Sequence, residues 1–256
     1  MILKLRQLWA ISQTTLREWI RDKFFWVICF LCIFLFSISL VLGEMTFAER
    51  DKVLGDLGLL SLEISLCGLA IFAGSYLLSK EIDRQTCLMV LIRPLGRAEF
   101  FLGKWLGIAS LLFLFLIPSL VFTGFLLSKV DVGYLIICGL SIYLKSLVIL
   151  SVVMAFSVLV RPLITLGFGT ALYLFGHWLE DVKFFAEKSR DKNFIQLANF
   201  ADWITPNFYK FNWKSFYFLS HEFSVQEVSI MVLHMVSWAV VYILFAIVVF
   251  RRKDIV

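Results

Sequence analysis

The sequence predicts an all-α, polytopic membrane protein: six transmembrane helices, an N-terminal interfacial helix, a charged cytoplasmic loop, and short helices on the outer surface before the last span. Three observations predict it. The 256 residues are 61% hydrophobic, against about 45–50% for a soluble domain. The excess lies in runs of about 20 residues, the length that crosses a ~30 Å hydrocarbon core. Only 17% of residues are charged, where about 25% is usual, and the charges cluster between the runs.

Residues 1–23 come first. Leu5, Leu8, Trp9, Leu16, Trp19 and Ile20 recur at helical spacing among Lys4, Arg6, Gln13, Arg17 and Arg21. This pattern predicts an amphipathic helix in the inner interface, with its tryptophans at headgroup level. The apolar runs follow at about 24–42, 57–78, 105–127, 134–160, 163–179 and 229–250. They are too long and too continuously apolar for barrel strands, so each satisfies its own backbone as a helix. The fourth is long enough to tilt. The first is too long for the apolar region of a signal peptide, and no small-x-small site closes it.

Lys and Arg orient the bundle. With the N-terminus inside, the inner segments carry Lys4, Arg6, Arg17, Arg21 and Lys23; Lys80, Arg84, Arg93, Arg97 and Lys104; Arg161; and Arg251, Arg252 and Lys253. The short outer segments carry only Arg50, Lys52 and Lys129. Both termini are therefore expected in the cytoplasm.

Two connecting segments stand out. Residues 79–104 alternate charged ends with the apolar stretch Leu88 to Ile92, which is too short to cross a bilayer. A short amphipathic helix fits there, and Pro94 and Gly96 provide a turn before the third span. The segment reads either as a docking surface or as an ordinary solvated loop. Residues 180–226 are rich in aromatics, including Phe184, Phe200, Trp203, Phe208, Phe211 and Trp213. No stretch of it is apolar enough to span. Short helices packed on the outer membrane surface, or dipping into it, suit amphipathic rings.

Two ionisable residues lie inside spans, Glu63 in the second and Lys145 in the fourth. Each costs about 2.5–3.5 kcal/mol at a helix centre on insertion scales. They stand at similar depth in the outer half, so they can pair. The alternative is that Lys145 snorkels to the interface and Glu63 sits near the outer headgroups. His177 and His234, near span ends, read as packing residues.

Familiar catalytic patterns are absent from the sequence. It has no GxSxG, no HExxH and no metal-ligand spacing, so no catalytic residue, metal or cofactor is assigned. Cys29 and Cys32 form a CxxC inside an apolar span, without the second pair or neighbouring histidine that zinc would need. The cysteine placement does not suggest a disulfide framework. The net charge of +5 reads as span-flanking charge rather than a nucleic-acid footprint. Residues Gly96 to Lys104 resemble a phosphate loop only in outline: six residues separate Gly96 from Gly103 where four are needed, and Trp105 replaces the Ser or Thr. If ATP drives this protein, a partner supplies the site.

The segment Glu81-Ile82-Asp83-Arg84-Gln85-Thr86, then Arg93-Pro94-Leu95-Gly96-Arg97-Ala98-Glu99-Phe100 and Leu102-Gly103-Lys104, resembles the loop after the second span of type-2 ABC transporter permeases. Gln85 stands where that family has Gly. The likeness extends to the interfacial helix, the six spans and the long outer segment before the last one. It is similar in outline to permeases of small export or copper-enzyme maturation systems. The resemblance implies a permease that couples to a separate ABC ATP-binding subunit and exports across the bacterial inner membrane. Glu81, Asp83 and Arg84 would then lie in or beside the coupling helix that docks on the ATPase. Arg93, Pro94 and Arg97 would shape the return to the membrane. A second permease copy, in a homodimer surrounded by membrane lipid, would complete the path.

Two other readings compete. One is a non-transporting membrane scaffold or assembly factor using the outer aromatic segment as a platform. The other is an ion-coupled carrier using Glu63 and Lys145. The substrate is not legible, although such apolar spans point toward an amphipathic or lipid-like cargo, or toward mechanical work on a partner protein.

Overall fold

The computed structural model describes residues 2–46, 50–83, 96–127, 132–189, 191–213 and 224–252, with the backbone alone for 2–5 and 78–83. All regular structure among them is helical. In chain order the helices are α1 (Ile2–Ile20), α2 (Lys23–Met45), α3 (Arg50–Asp83), α4 (Arg97–Leu126), α5 (Val132–Ser157), α6 (Pro162–Ser189), α7 (Lys192–Ile204), a 3-10 turn (Phe208–Phe211) and α8 (Val225–Arg252). Five of them are long and apolar enough to cross a membrane: α2, α3 over Arg50–Leu77, α4, α5 and α8. The protein is thus an all-α polytopic membrane protein. α6, the fifth predicted span, is not among the five. Its apolar stretch is interrupted by His177 and gives way to Glu180 and Asp181, and the helix then runs on to Ser189.

Local chemistry sets the ends. Asp22 caps α2 by accepting from the Phe24 N–H at 3.0 Å, and Asp191 caps α7 from the Asn193 N–H at 2.9 Å. Ser224 and Glu227 form a reciprocal capping box at the start of α8, at 3.0 and 3.2 Å. Each of these satisfies a backbone donor that the first helical turn leaves orphaned. Pro162 opens α6, where its missing N–H costs nothing.

α3 and α5 form the centre of the bundle and are buried on most of their surface. They pack against each other; α2 and α4 flank α3, and α8 lies along α5. Small residues are buried along both helices, among them Ser61, Ser65, Ala70, Ala73 and Ser75 on α3, and Ser141, Ser146, Ser151 and Ala155 on α5. Such residues let helices approach closely where lipid offers no hydrophobic drive for association. Their hydroxyls are satisfied locally: Ser65 donates to the Ser61 carbonyl at 2.8 Å and Ser75 to the Ile71 carbonyl at 2.7 Å. α4 and α5 are tied by Trp105 Nε1, which donates to Ser151 Oγ at 3.0 Å. α2 and α8 leave most of their surface outside the bundle, and the residues shown there are apolar, such as Phe30, Ile33, Leu233 and Val241.

Candidate functional site

Two polar constellations stand out in an otherwise apolar molecule, one at each end of the bundle. The first is built on the opening turns of α4. Gly96 starts the helix, and its N–H donates to the Glu99 carboxylate at 3.2 Å, which places an acidic group at the positive end of the helix dipole. One turn of α4 faces the end of α8. Arg97 Nη1 donates to the carbonyls of Phe250 at 3.4 Å and Arg251 at 3.0 Å. These carbonyls belong to the last described turn of α8, and a guanidinium there meets the negative end of the helix dipole. Beneath it, Phe100 and Phe101 pack on the fully buried Phe250, with ring centroids 6.3 and 6.5 Å apart.

Another face of the same stretch holds α1. A Cβ on Gly103 would stand 2.8 Å from Ile11 Cγ2, and one on Gly107 would stand 2.6 Å from Thr15 Cβ and 2.9 Å from the Ser12 carbonyl. Only glycine admits α1 this closely. Lys104, nearly buried, lies 3.9 Å from Glu18. The face of α1 turned to the protein therefore carries Ser12, Thr15 and Trp19, all buried, while Trp9 is exposed. Hydrophobic periodicity alone would have placed the broad apolar face on one surface. The small polar residues are inside because α4 offers a glycine groove.

The remaining residues assigned by resemblance are placed less fully. Glu81 and Asp83 fall in the last turn of α3, where only the backbone is described. Arg84, Arg93 and Pro94, together with the short helix expected at 88–92 and Cys87, lie outside the described residues.

The second constellation lies toward the other end of the bundle. Glu63 of α3 is fully buried, and its Oε1 accepts from Lys145 Nζ of α5 at 2.9 Å. The Lys145 side chain is only 2% exposed, so it points into the bundle and does not snorkel. A third member comes from α6: His177 Nε2 stands 2.9 Å from the same Glu63 oxygen, and Nδ1 stands 2.9 Å from the Tyr173 carbonyl. Both ring nitrogens are thus within hydrogen-bond distance of an oxygen, and which one donates depends on the tautomer. His177 was missed as a partner because nothing in the spacing of three separate helices brings 63, 145 and 177 together.

The 3-10 turn and the residues after it close over this cluster. Phe208, Phe211 and Trp213 are buried. Ser141 donates to the Phe211 carbonyl at 2.7 Å and Tyr134 to the Trp213 carbonyl at 2.5 Å. Gly176 makes room for Phe208, whose ring would collide with any Cβ there. Irregular backbone at this depth is tolerable because protein covers and hydrogen-bonds it. A cavity of about 10 Å³ remains among Glu63, Ser141, Lys145, Asn212 and Trp213, room for about one water.

Above it, α6, α7 and the turn are braced on Asp202. Lys183 donates to Asp202 Oδ2 at 3.1 Å, Tyr209 to Oδ1 at 3.0 Å, and Lys210 lies 3.6 Å from Oδ2. Partial burial pushes the Asp202 carboxyl up, but the hydrogen bonds from Lys183 and Tyr209 and the nearby lysine charges outweigh it and leave the group below its ordinary value. The hydrogen bond to Asp202 raises the Lys183 ammonium. Burial and then the same carboxylate raise the Tyr209 phenol.

Two apolar grooves open on the sides of the bundle. One, of about 670 Å³, lies between α2 and α4, and Cys29 and Cys32 line it as free thiols. The other, of about 1210 Å³, lies between α6 and α8 below α7, and Trp178, Trp203, Trp238 and Tyr242 are among its lining. Among the described residues no group of three His, Cys, Asp or Glu side chains is arranged to hold a metal ion.

A family model described as ABC-2 family transporter protein matches residues 9–255 of the chain. No curated protein matches it.

Proposed function

The chain belongs to the ABC-2 family of transporter proteins, and from that premise we propose that it is the permease subunit of an ATP-driven exporter in a bacterial inner membrane, coupled to a separate ABC ATPase. The match over almost the whole chain carries the proposal. It supports a membrane transport component rather than a catalyst, and the sequence holds no phosphate loop of its own. In this reading six helices span the membrane, α6 being the sixth. Both termini face the cytoplasm, and two copies surrounded by lipid build the path. The end of α3 and the segment before α4 meet the ATPase through Glu81, Asp83 and Arg84, while Arg93, Pro94 and Arg97 set the return into the membrane.

Purification of the tagged protein in mild detergent, from cells expressing its genomic neighbours, tests this. A stoichiometric ATPase should accompany it, and the double variant Glu81→Ala, Arg84→Ala should lose that partner or uncouple its hydrolysis. If the protein purifies with no ATPase, the permease reading fails and the scaffold reading takes its place.

A further inference from the structure

The segment Arg97 to Gly107 grips both ends of the chain. Its glycines and Lys104 seat α1, and Arg97, Phe100 and Phe101 hold the last turn of α8. α8 has 28 residues, or about 42 Å at 1.5 Å per residue. Its inner end is therefore fixed to α4, while its outer end begins at the Ser224–Glu227 capping box. Between them one stripe, Met231, Met235, Ala239, Ala246 and Phe250, is buried, and the rest of the helix is largely free of the bundle. In the half of the helix nearer its start at Val225, His234 packs on Phe211 of the buried 3-10 turn, with ring centroids 5.3 Å apart.

We infer that Arg97 is a positioning residue for coupling: it joins α4 to the carbonyl end of α8, so that displacement of the docking segment is passed along α8 to the outer turn. This rests on the permease reading above and adds to it a route from the inner to the outer face. Both bonds leave from Nη1, whose two hydrogens reach adjacent carbonyls at 3.4 and 3.0 Å, and the planar guanidinium fixes their direction in a way a freely rotating lysine ammonium does not.

The test uses the full chain with the ATPase that accompanies it, reconstituted in lipid vesicles. An environment-sensitive fluorophore is placed on Val225→Cys, at the outer start of α8, and separately on Val41→Cys, in the outer part of α2, and the signal is read with and without ATP. In the protein with Arg97 intact the signal at 225 should change with ATP. Arg97→Ala should retain the ATPase and the response at 41 but reduce the response at 225 by about fivefold or more, the lower end of usual coupling strengths. Arg97→Lys should restore part of it, and Arg97→Met, which keeps the stem and removes the donors, serves as the test variant should Arg97→Ala fail to fold.

If Arg97→Ala, or Arg97→Met in its place, leaves the response at 225 at full strength, the relay is overturned and the permease reading stands. Equal loss at 225 and 41 also overturns it, because Arg97 would then matter only to the fold as a whole. An ATP response at 41 but none at 225 with Arg97 intact overturns it as well. Absence of any bound ATPase overturns the permease reading, and the relay falls with it.

Discussion

At the scale of single residues, the costly features are Glu63, Lys145 and His177. A carboxylate and an ammonium buried this completely are tolerable only because each is the other's partner, at 2.9 Å. Removing one charge leaves the other stranded in a low-dielectric interior. Glu63→Gln and Lys145→Met should each destabilise the protein in detergent by about 3–5 kcal/mol. The double variant should lose clearly less than the two single losses added together, as expected for groups in direct contact. Strict additivity in chemical or thermal unfolding would show that the pair contributes no coupling. His177 belongs to the same calculation, since it shares the Glu63 oxygen.

At the scale of elements, the seat of α1 on α4 is decided by two missing side chains. Gly107 meets Thr15 and the Ser12 backbone, so any larger residue must push α1 away. Gly107→Val should cost about 1–3 kcal/mol, the usual penalty for overpacking a close contact. It should also release α1, so that trypsin cuts at Arg17 or Arg21 faster than in the unchanged protein, whereas the same substitution at Gly68, where a Cβ would meet nothing within 4 Å, should leave the cleavage rate as it was. Unchanged cleavage in Gly107→Val would mean that α1 is held by other contacts.

At the scale of the whole molecule, the arrangement makes a topological statement. The packing brings Glu63, Lys145 and His177 to one level and the Asp202 brace to the same end as the 3-10 turn. If α6 crosses the membrane as proposed, Lys188 lies outside and Trp9 inside. In intact cells, an impermeant thiol reagent should label Lys188→Cys and leave Trp9→Cys unlabelled until the membrane is opened. Labelling of neither position in intact cells would place both on the inner side and remove α6 from the spans.

The helical, membrane-spanning character of the chain was legible in the sequence because it depends on local quantities, namely the length of an apolar run and the need of every backbone group for a partner within its own segment. The runs at 24–42 and 229–250 lie within α2 and α8, and the run at 105–127 ends one residue past α4, at its cap Leu127; the helices begin before their runs, or end after them, where polar residues such as Lys23, Arg97 and Arg252 continue the helix into the interface. The importance of Arg97 and Gly103 was visible only through resemblance, since neither periodicity nor charge says what an arginine at a helix start will touch. Tertiary structure alone decided that Arg97 reaches a helix end some 150 residues away, that Ser12 and Thr15 face inward, and that His177 joins Glu63 and Lys145. The physical reason is that hydrophobicity sets how deep a residue lies, whereas hydrogen bonds and close contacts depend on direction, and direction is fixed only when the helices pack.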